Sequence, residues 1–255
     1  VLWPLPVRVS SDTLTRVVRI ENIGSLPEVL LAPVGWRPEV DDRALDDQAR
    51  DECTRLKWLD HRGRLDVDVA SVLRLLCKAS TEVYGWITVG RTTTGVLACS
   101  NGHQALLCIR HEPWVSLCSI RPEELANTVV AQAPIIPAGQ GKPIQVRRSD
   151  ALAFDGGRPR AHGGLAVRPV PVEVRRLLRI AGVERTGAGE FHVVKRDSLG
   201  RRLSDVDPIG YVDTATGRYV AVTSTVEGET EMLLAPTSHH DLVARLNKAL
   251  SSLAT

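Results

Sequence analysis

No run of about 18 apolar residues occurs in this 255-residue chain, which excludes a helix that crosses a membrane. The N-terminal VLWPLPVRVSS has no basic start followed by an apolar stretch and a small-residue cleavage site, so no signal peptide is expected. Lysine is scarce, 5 against 27 arginines, a bias that a GC-rich genome explains because Arg and Ala codons are GC-rich. The 32 basic residues face 30 acidic ones, and pairs such as Arg147-Arg148, Arg175-Arg176 and Arg201-Arg202 lack interleaved aromatics. That is the pattern of a solvated surface, and no nucleic-acid partner is expected. Cysteine is limited to Cys53, Cys77, Cys99, Cys108 and Cys118, an odd number without a CxxC pair. In surroundings such as LLCKA and LLCIR they read as small buried hydrophobes in a reducing compartment, hence the cytoplasm.

The common catalytic and cofactor signatures are also missing. There is no GxSxG, no HExxH, no GxxxxGK[ST] and no GxGxxG between a strand and a helix. Gly139-Gln140-Gly141-Lys142 lacks the first glycine of a phosphate loop, and Pro143 removes a backbone donor after it. His239-His240-Asp241 opens a helix where adjacent side chains diverge, so no metal site is expected there. His103 and His111 fall in turns, and Asp66 and Asp68 suit a helix N-terminus. Phe and Tyr are few, 2 and 3, against 5 Trp. Trp86 and Trp114 alternate within strand patterns and should pack, whereas Trp3 and Trp36 stand in proline-rich surroundings at the surface. No cofactor is expected, and these silences favour a binding protein over an enzyme.

What is present is a repeated arrangement. Helical patterns cover residues 12–22, 42–59 and the stretch after Asp66, a good N-cap for a face of Val69, Val72, Leu73 and Leu76. Four strands follow, VYGWITV, GVLAC, ALLCI and WVSLCS, with Asn101-Gly102 as the strongest hairpin signal. Pro122, Glu123 and Glu124 then signpost a helix start. After PIIPAGQG and the loose DGGRPRAHGG come a helix over residues 172–181 and the strands FHVVKR, PIGYV, RYVAVTS and EMLLA. A last helix starts after Ser238, with Asp241 completing an approximate capping box. Each half therefore reads helix, four hairpin-linked strands, helix. The expected fold is α+β, with two pseudo-two-fold related halves and a central antiparallel sheet flanked by helices. The expected organisation is an N-terminal half at 1–133, a linker and loose region at 134–164 and a C-terminal half at 165–255, together one compact domain.

The second half also carries motifs with a family resemblance. GAGEFHVVKRDSLGRR, PIGYVDTATGRY and LLAPTSHHDLVARLNKAL resemble the EspG family, the specificity chaperones of actinobacterial ESX (type VII) secretion. The most specific positions are Gly189, Phe191, Val193, Arg196, Asp197, Gly200 and Arg201, then Asp213, Thr214, Gly217, Arg218 and Tyr219. In the first half, GRLDVDVASVLRLLCKAS and WVSLCSIRPEEL agree in outline. The resemblance implies a cytosolic binding protein without catalysis, which holds the apolar tip of a PE–PPE-like heterodimer through its PPE-like subunit. It also implies an indirect link to the secretion ATPase. The family's contact surface is the sheet with the C-terminal helical bundle and a loop between the second and third strands. Mapped onto this chain, the candidate contacts are Ser100, Asn101, Gly102 and His103 in that loop, with His239, Leu242, Arg245 and Leu246 on the last helix. The loop is shorter than in many family members, and the region before Val172 is trimmed, so the client stays open. The motif residues themselves read as structural, with Gly200 and Gly217 permitting turns that Asp197 and Asp213 start. Two other readings compete: an enzyme, such as a hydrolase, built from a scattered set such as His192, Asp213 and His239, and a self-associating structural module.

Overall fold

The computed structural model describes residues 6–31, 40–153, 170–197, 199–204, 207–226 and 228–253. Trp3, Trp36 and the DGGRPRAHGG stretch lie outside them. The first half runs β1 (Val7–Ser10), α1 (Ser11–Ile20), a 3₁₀ turn (Glu28–Leu30), α2 (Val40–Arg55) and α3 (Val67–Lys78). A meander follows, β2 (Thr81–Val89), β3 (Thr92–Ser100), β4 (Ala105–His111) and β5 (Trp114–Ile120), and then α4 (Leu125–Val130). The second half runs β6 (Ile144–Arg147), α5 (Arg148–Ala153), α6 (Val172–Ala181), β7 (Arg185–Arg196) and the short β8 (Arg202–Ser204). It ends with β9 (Ile209–Thr214), β10 (Gly217–Val226), β11 (Glu229–Pro236) and α7 (His239–Ser252).

All of these strands join one 11-stranded sheet in the order β1-β5-β4-β3-β2-β7-β9-β10-β11-β6, with β8 paired to β7. Every pairing is antiparallel. The order reads the same from either edge: a meander of four strands, flanked by the strand that opens its own half. The two halves meet where β2 pairs with β7, from Thr81 opposite Lys195 to Val89 opposite Gly187. This is the α+β, pseudo-two-fold architecture expected from the repeated pattern. The sequence pattern did not reveal β1, β6 as an edge partner, β8 or α5. All four are 3 to 6 residues long, too short for periodicity to declare them.

Alternation along the strands sends side chains to two faces. On one, α4 and α7 pack over Val83, Ile87, Val96, Phe191, Tyr211 and Val220 and bridge both halves. On the other, α1, the 3₁₀ turn, α2 and α3 cover the first half, burying Leu14, Val29, Leu30, Trp58, Leu73 and Leu76 against Leu97, Leu106 and Leu117. Among the described residues, the second half carries a much smaller cluster on that same face, Ile144, Val146 and Val174, with Leu177, Leu178 and Ile180 only partly buried.

Helix ends follow local chemistry. The Ser10 hydroxyl accepts from Thr13 N–H to cap α1, and Asp66 accepts from Asp68 and Val69 N–H to cap α3. At α7 the capping box is complete: Ser238 accepts from Asp241 N–H, and the Asp241 carboxylate accepts from Ser238 N–H.

Candidate functional site

The second half's thinly covered face holds a cleft of about 520 Å³. Its floor is a row of residues that lie opposite one another across five strands: Trp86, Glu190, Gly210, Ala221 and Leu234. Thr88, Ala188 and Val212 form the neighbouring row, and Leu177, Ile180 and Ala181 of α6 form the wall. The depression has a simple origin. Ala188, Gly210 and Ala221 place small or absent side chains side by side, and α6 lies to one side of them. The lining is mainly apolar, with Glu190 and Arg185 as its charged members.

An aromatic cluster closes the cleft toward the first half. The ring of His192 stacks on Tyr84 at 4.9 Å and meets Trp86 edge-on at 5.9 Å. His192 Nε2 is buried without a hydrogen-bond partner, 3.8 Å from Glu190. Trp86 thus packs as the strand alternation predicts, at the boundary between the first half's core and the cleft.

The motif residues build the frame beside it. Phe191 is buried and stacks on Tyr211 at 5.6 Å. Gly189 is required because a Cβ there would lie 2.5 Å from the Tyr211 ring and 2.8 Å from a backbone oxygen of Trp86. Arg196 pairs with Glu82 across the β2–β7 seam. Asp197 Oδ1 accepts from Leu199 and Arg201 N–H, and its other oxygen accepts from Arg201 Nε at 2.7 Å, with Gly200 at φ +77°. These bonds hold the Asp197 carboxyl below the usual carboxylate range.

Asp213 departs from the expectation that it starts a turn. Its carboxylate is buried in a bidentate pair with Arg218, at 2.6 and 2.8 Å, and the neighbouring Thr214 supplies the turn's side-chain hydrogen bonds. The Arg218 guanidinium also donates to Pro134 O at 2.9 Å and lies 4.4 Å from the Tyr211 ring centre. Its backbone N–H donates to Pro137 O, and its carbonyl accepts from Gly139 N–H. The Tyr219 hydroxyl bonds both backbone groups of Gln140. Together these clamp the connection between the halves around the start of β10, from the α4–α7 face to the cleft face. Gly217, at φ +117°, leaves room for that passage, since a Cβ would meet Gly139 at 2.7 Å.

The residues expected from sequence to make contacts lie elsewhere. Leu242 and Leu246 are fully buried beneath α7, on the face opposite the cleft, so their side chains anchor the helix and have no surface to offer a partner. Arg245 is half-buried and His239 partly so at the helix start, where burial first and then nearby Arg218 lower the imidazole pKa. Ser100 is buried, and its hydroxyl accepts from Gly102 N–H. Asn101 and His103 are exposed, and Asn101 Oδ1 accepts from His103 and Gln104 N–H. Register puts this turn at the Thr81–Lys195 end of the sheet and the start of α7 at the Arg185–Thr214 end. The fold does not gather the two groups into one site. Nor does it gather the scattered catalytic set, because His192 lies on the cleft face and Asp213 on the other, engaged by Arg218. Among the described residues, no group of His, Cys, Asp and Glu is placed to hold a metal ion.

The cleft residues escaped sequence reading because a floor of Ala188, Gly210 and Ala221 has no chemical signature. The usable signal was the inward stripe of α6, Val174, Leu177, Leu178 and Ala181, of which only Val174 is buried.

Fold and cleft define a class: α+β proteins of two pseudo-equivalent halves that share one antiparallel sheet and leave part of one face open between helices. The sequence pattern of the EspG family matches residues 10–248, and the chain belongs to that family. Among solved structures, the chain is similar to the Mycobacterium tuberculosis type VII secretion system chaperone EspG5, solved in complex with a PE25–PPE41 dimer. The TM-score is 0.68 at 11% identity, covering 97% of this chain and 96% of that one, a likeness of fold. No curated protein matches this sequence. No helix among the described residues is long and apolar enough to cross a membrane.

Proposed function

We propose that the protein is a cytosolic chaperone of type VII (ESX) secretion, which binds the exposed apolar tip of a PE–PPE-like heterodimer through its PPE-like subunit. The family match, spanning nearly the whole chain, carries this reading. The EspG5 neighbour supports it through its bound PE25–PPE41 dimer. An apolar helical tip is a surface that aggregates when left open, and a preformed apolar cleft with charged margins is a fitting cover. The cleft beside α6 is the proposed primary contact, in place of α7, which lies behind the sheet. Binding keeps the client soluble and brings it to the secretion machinery, with the ATPase engaged only indirectly. Its work is recognition, with no bond made or broken. Burial raises the pKa of Cys53 and Cys77 to about 11, and that of Cys108 well above the usual thiol value, which suits thiols that stay unreactive in the cytosol.

The test is a native pull-down from an actinobacterial cytosol, with retained proteins identified by mass and re-tested as a purified complex by size exclusion. A PE–PPE pair should co-elute with the chain. Retention of no such pair by a stable, folded chain defeats the reading.

A further inference from the structure

By sequence, Gly139-Gln140-Gly141-Lys142 fails as a phosphate loop, since Pro143 bars a helix directly after it. The fold brings two arginines to the loop instead. One side of α6, through Leu177 and Ala181, walls the cleft. Its other side, through Arg176 and Arg179, faces Gln140, Gly141 and Lys142 across a separate recess of about 350 Å³. The two arginines stand three residues apart, so one helix face presents both. A Cβ on Gly141 would lie 3.9 Å from Arg176 Nη2, which puts that guanidinium against the loop.

The loop is fixed at both ends. Gly139 N–H donates to Arg218 O at 2.8 Å, the Tyr219 hydroxyl bonds both backbone groups of Gln140, and Ile144 enters β6 opposite Leu234. Between these anchors Gly141 takes φ +104°, and the N–H groups of Gly141 and Lys142 meet no acceptor among the described residues.

Charge sets this recess apart. Lys142, Arg176 and Arg179 line it, and no carboxylate does. Elsewhere Arg16, Arg110, Arg196 and Arg218 are buried or half-buried, and each meets a carboxylate. Arg176 is half-buried too, yet like Lys142 and Arg179 it makes no ion pair among the described residues. Residues 154–169 add Asp155 against Arg158, Arg160 and Arg168, so that connection raises the positive charge. Three like charges around one recess repel one another, and a bound anion removes that cost.

Chemistry selects the anion. A carboxylate brings one charge and two acceptor oxygens. A phosphoryl group brings about 1.5 to 2 charges at neutral pH and three oxygens, which suit arginine forks and backbone N–H groups. The volume is at the small end of ligand sites. Tyr219, the aromatic member of the lining, is buried with its hydroxyl engaged, so it offers no ring for a nucleic-acid base to stack on.

We propose that this recess is a binding site for a small soluble diphosphate, held by Arg176, Arg179 and Lys142 together with the Gly141 and Lys142 N–H groups. The site is separate from the cleft and does not rest on the chaperone reading. Its occupant ties α6 to the Gln140–Lys142 loop, and so braces the wall that Leu177 gives the cleft.

Isothermal titration of pyrophosphate into the full chain tests this. One saturable site is expected, weakening as salt rises because its contacts are ionic. Arg176→Gln with Arg179→Gln should weaken binding about tenfold or more. Arg175→Gln, exposed on α6 outside the recess, should leave the affinity within about twofold. Because neither recess arginine has a partner to lose, the double variant should melt as the wild type does, and Lys142→Glu on the exposed loop serves if it does not. In hydrogen exchange, pyrophosphate should slow the amides of α6 and of residues 140–142 in the wild type alone. No saturation, more than one site, or an equal loss with Arg175→Gln would each overturn the proposal. A tetraglutamate peptide that binds as tightly as pyrophosphate would overturn it in favour of an acidic protein segment. Phosphatidic acid vesicles that bind where pyrophosphate does not would overturn it in favour of a lipid surface. None of these arms uses PE–PPE capture, so the site and the chaperone reading fail separately.

Discussion

The two halves use the same strand order and differ in what lies on the cleft face. Over the first half, α3 alone buries Val69, Val72, Leu73, Leu75, Leu76 and Cys77, and α1, α2 and the 3₁₀ turn complete the cover. Over the second half, α6 buries Val174 and leaves Leu177, Leu178 and Ile180 half exposed. One supersecondary unit thus serves two purposes. Where helices cover both faces of the meander, the apolar area goes into stability. Where the described residues cover one face thinly, part of that area stays open, and under the proposed function it is held for a partner.

Breaking the second half's buried Asp213–Arg218 pair should give the largest effect, because a partner left alone is an uncompensated buried charge. Asp213→Ala leaves a guanidinium at 0% exposure without its carboxylate, a loss of about 3–5 kcal/mol. Chemical denaturation reads this directly. Losses on that scale, with early proteolysis near residues 134–140, are expected, because Arg218 also holds Pro134. A change under about 1 kcal/mol would mean that the second half does not depend on the clamp.

The next substitutions set the halves against each other. Leu73→Ala, in the fully covered half, should cost about 2–5 kcal/mol and leave client capture intact in the folded fraction. Leu177→Ala, in the cleft wall, should cost under about 1 kcal/mol and weaken capture. Equal stability losses at the two positions would erase the distinction between a sealed face and an open one.

This contrast also explains what was legible in the sequence. The two meanders, the long helices and the symmetry could be read because alternation and helical periodicity report burial on one side of an element. Ser238 and Asp241 announced their helix start because capping is local chemistry. Asp213 misled because an Asp-Thr before Gly is a turn signal, while its true partner, Arg218, becomes visible only once β9 and β10 are paired. Leu242 and Leu246 misled for a related reason. An apolar stripe at helical spacing looks the same whether it faces a partner or its own sheet, and here it faces Phe191 and Tyr211. The cleft floor is defined by residues without side-chain chemistry, brought side by side from five strands, and no local pattern encodes that.

The smallest effect compares the equivalent helices α4 and α7. No side-chain hydrogen bond caps α4, which spans 6 residues, whereas α7 spans 14 and carries the full capping box. Ser238→Ala should therefore cost about 1 kcal/mol, with no comparable site to lose on α4. The cap should also titrate. The backbone N–H and hydroxyl of Ser238 hold the Asp241 carboxyl below its ordinary value of 3.8. A carboxyl whose folded pKa is depressed adds stability that is complete above the unfolded pKa and is lost as pH falls through the folded one. Wild type and Asp241→Ala should thus differ in melting temperature at neutral pH and converge as the pH drops below 3.8. A difference that persists unchanged into strong acid would mean that the charge of Asp241 adds nothing, and equal melting temperatures at neutral pH would assign the cap's value to the Ser238 hydroxyl alone.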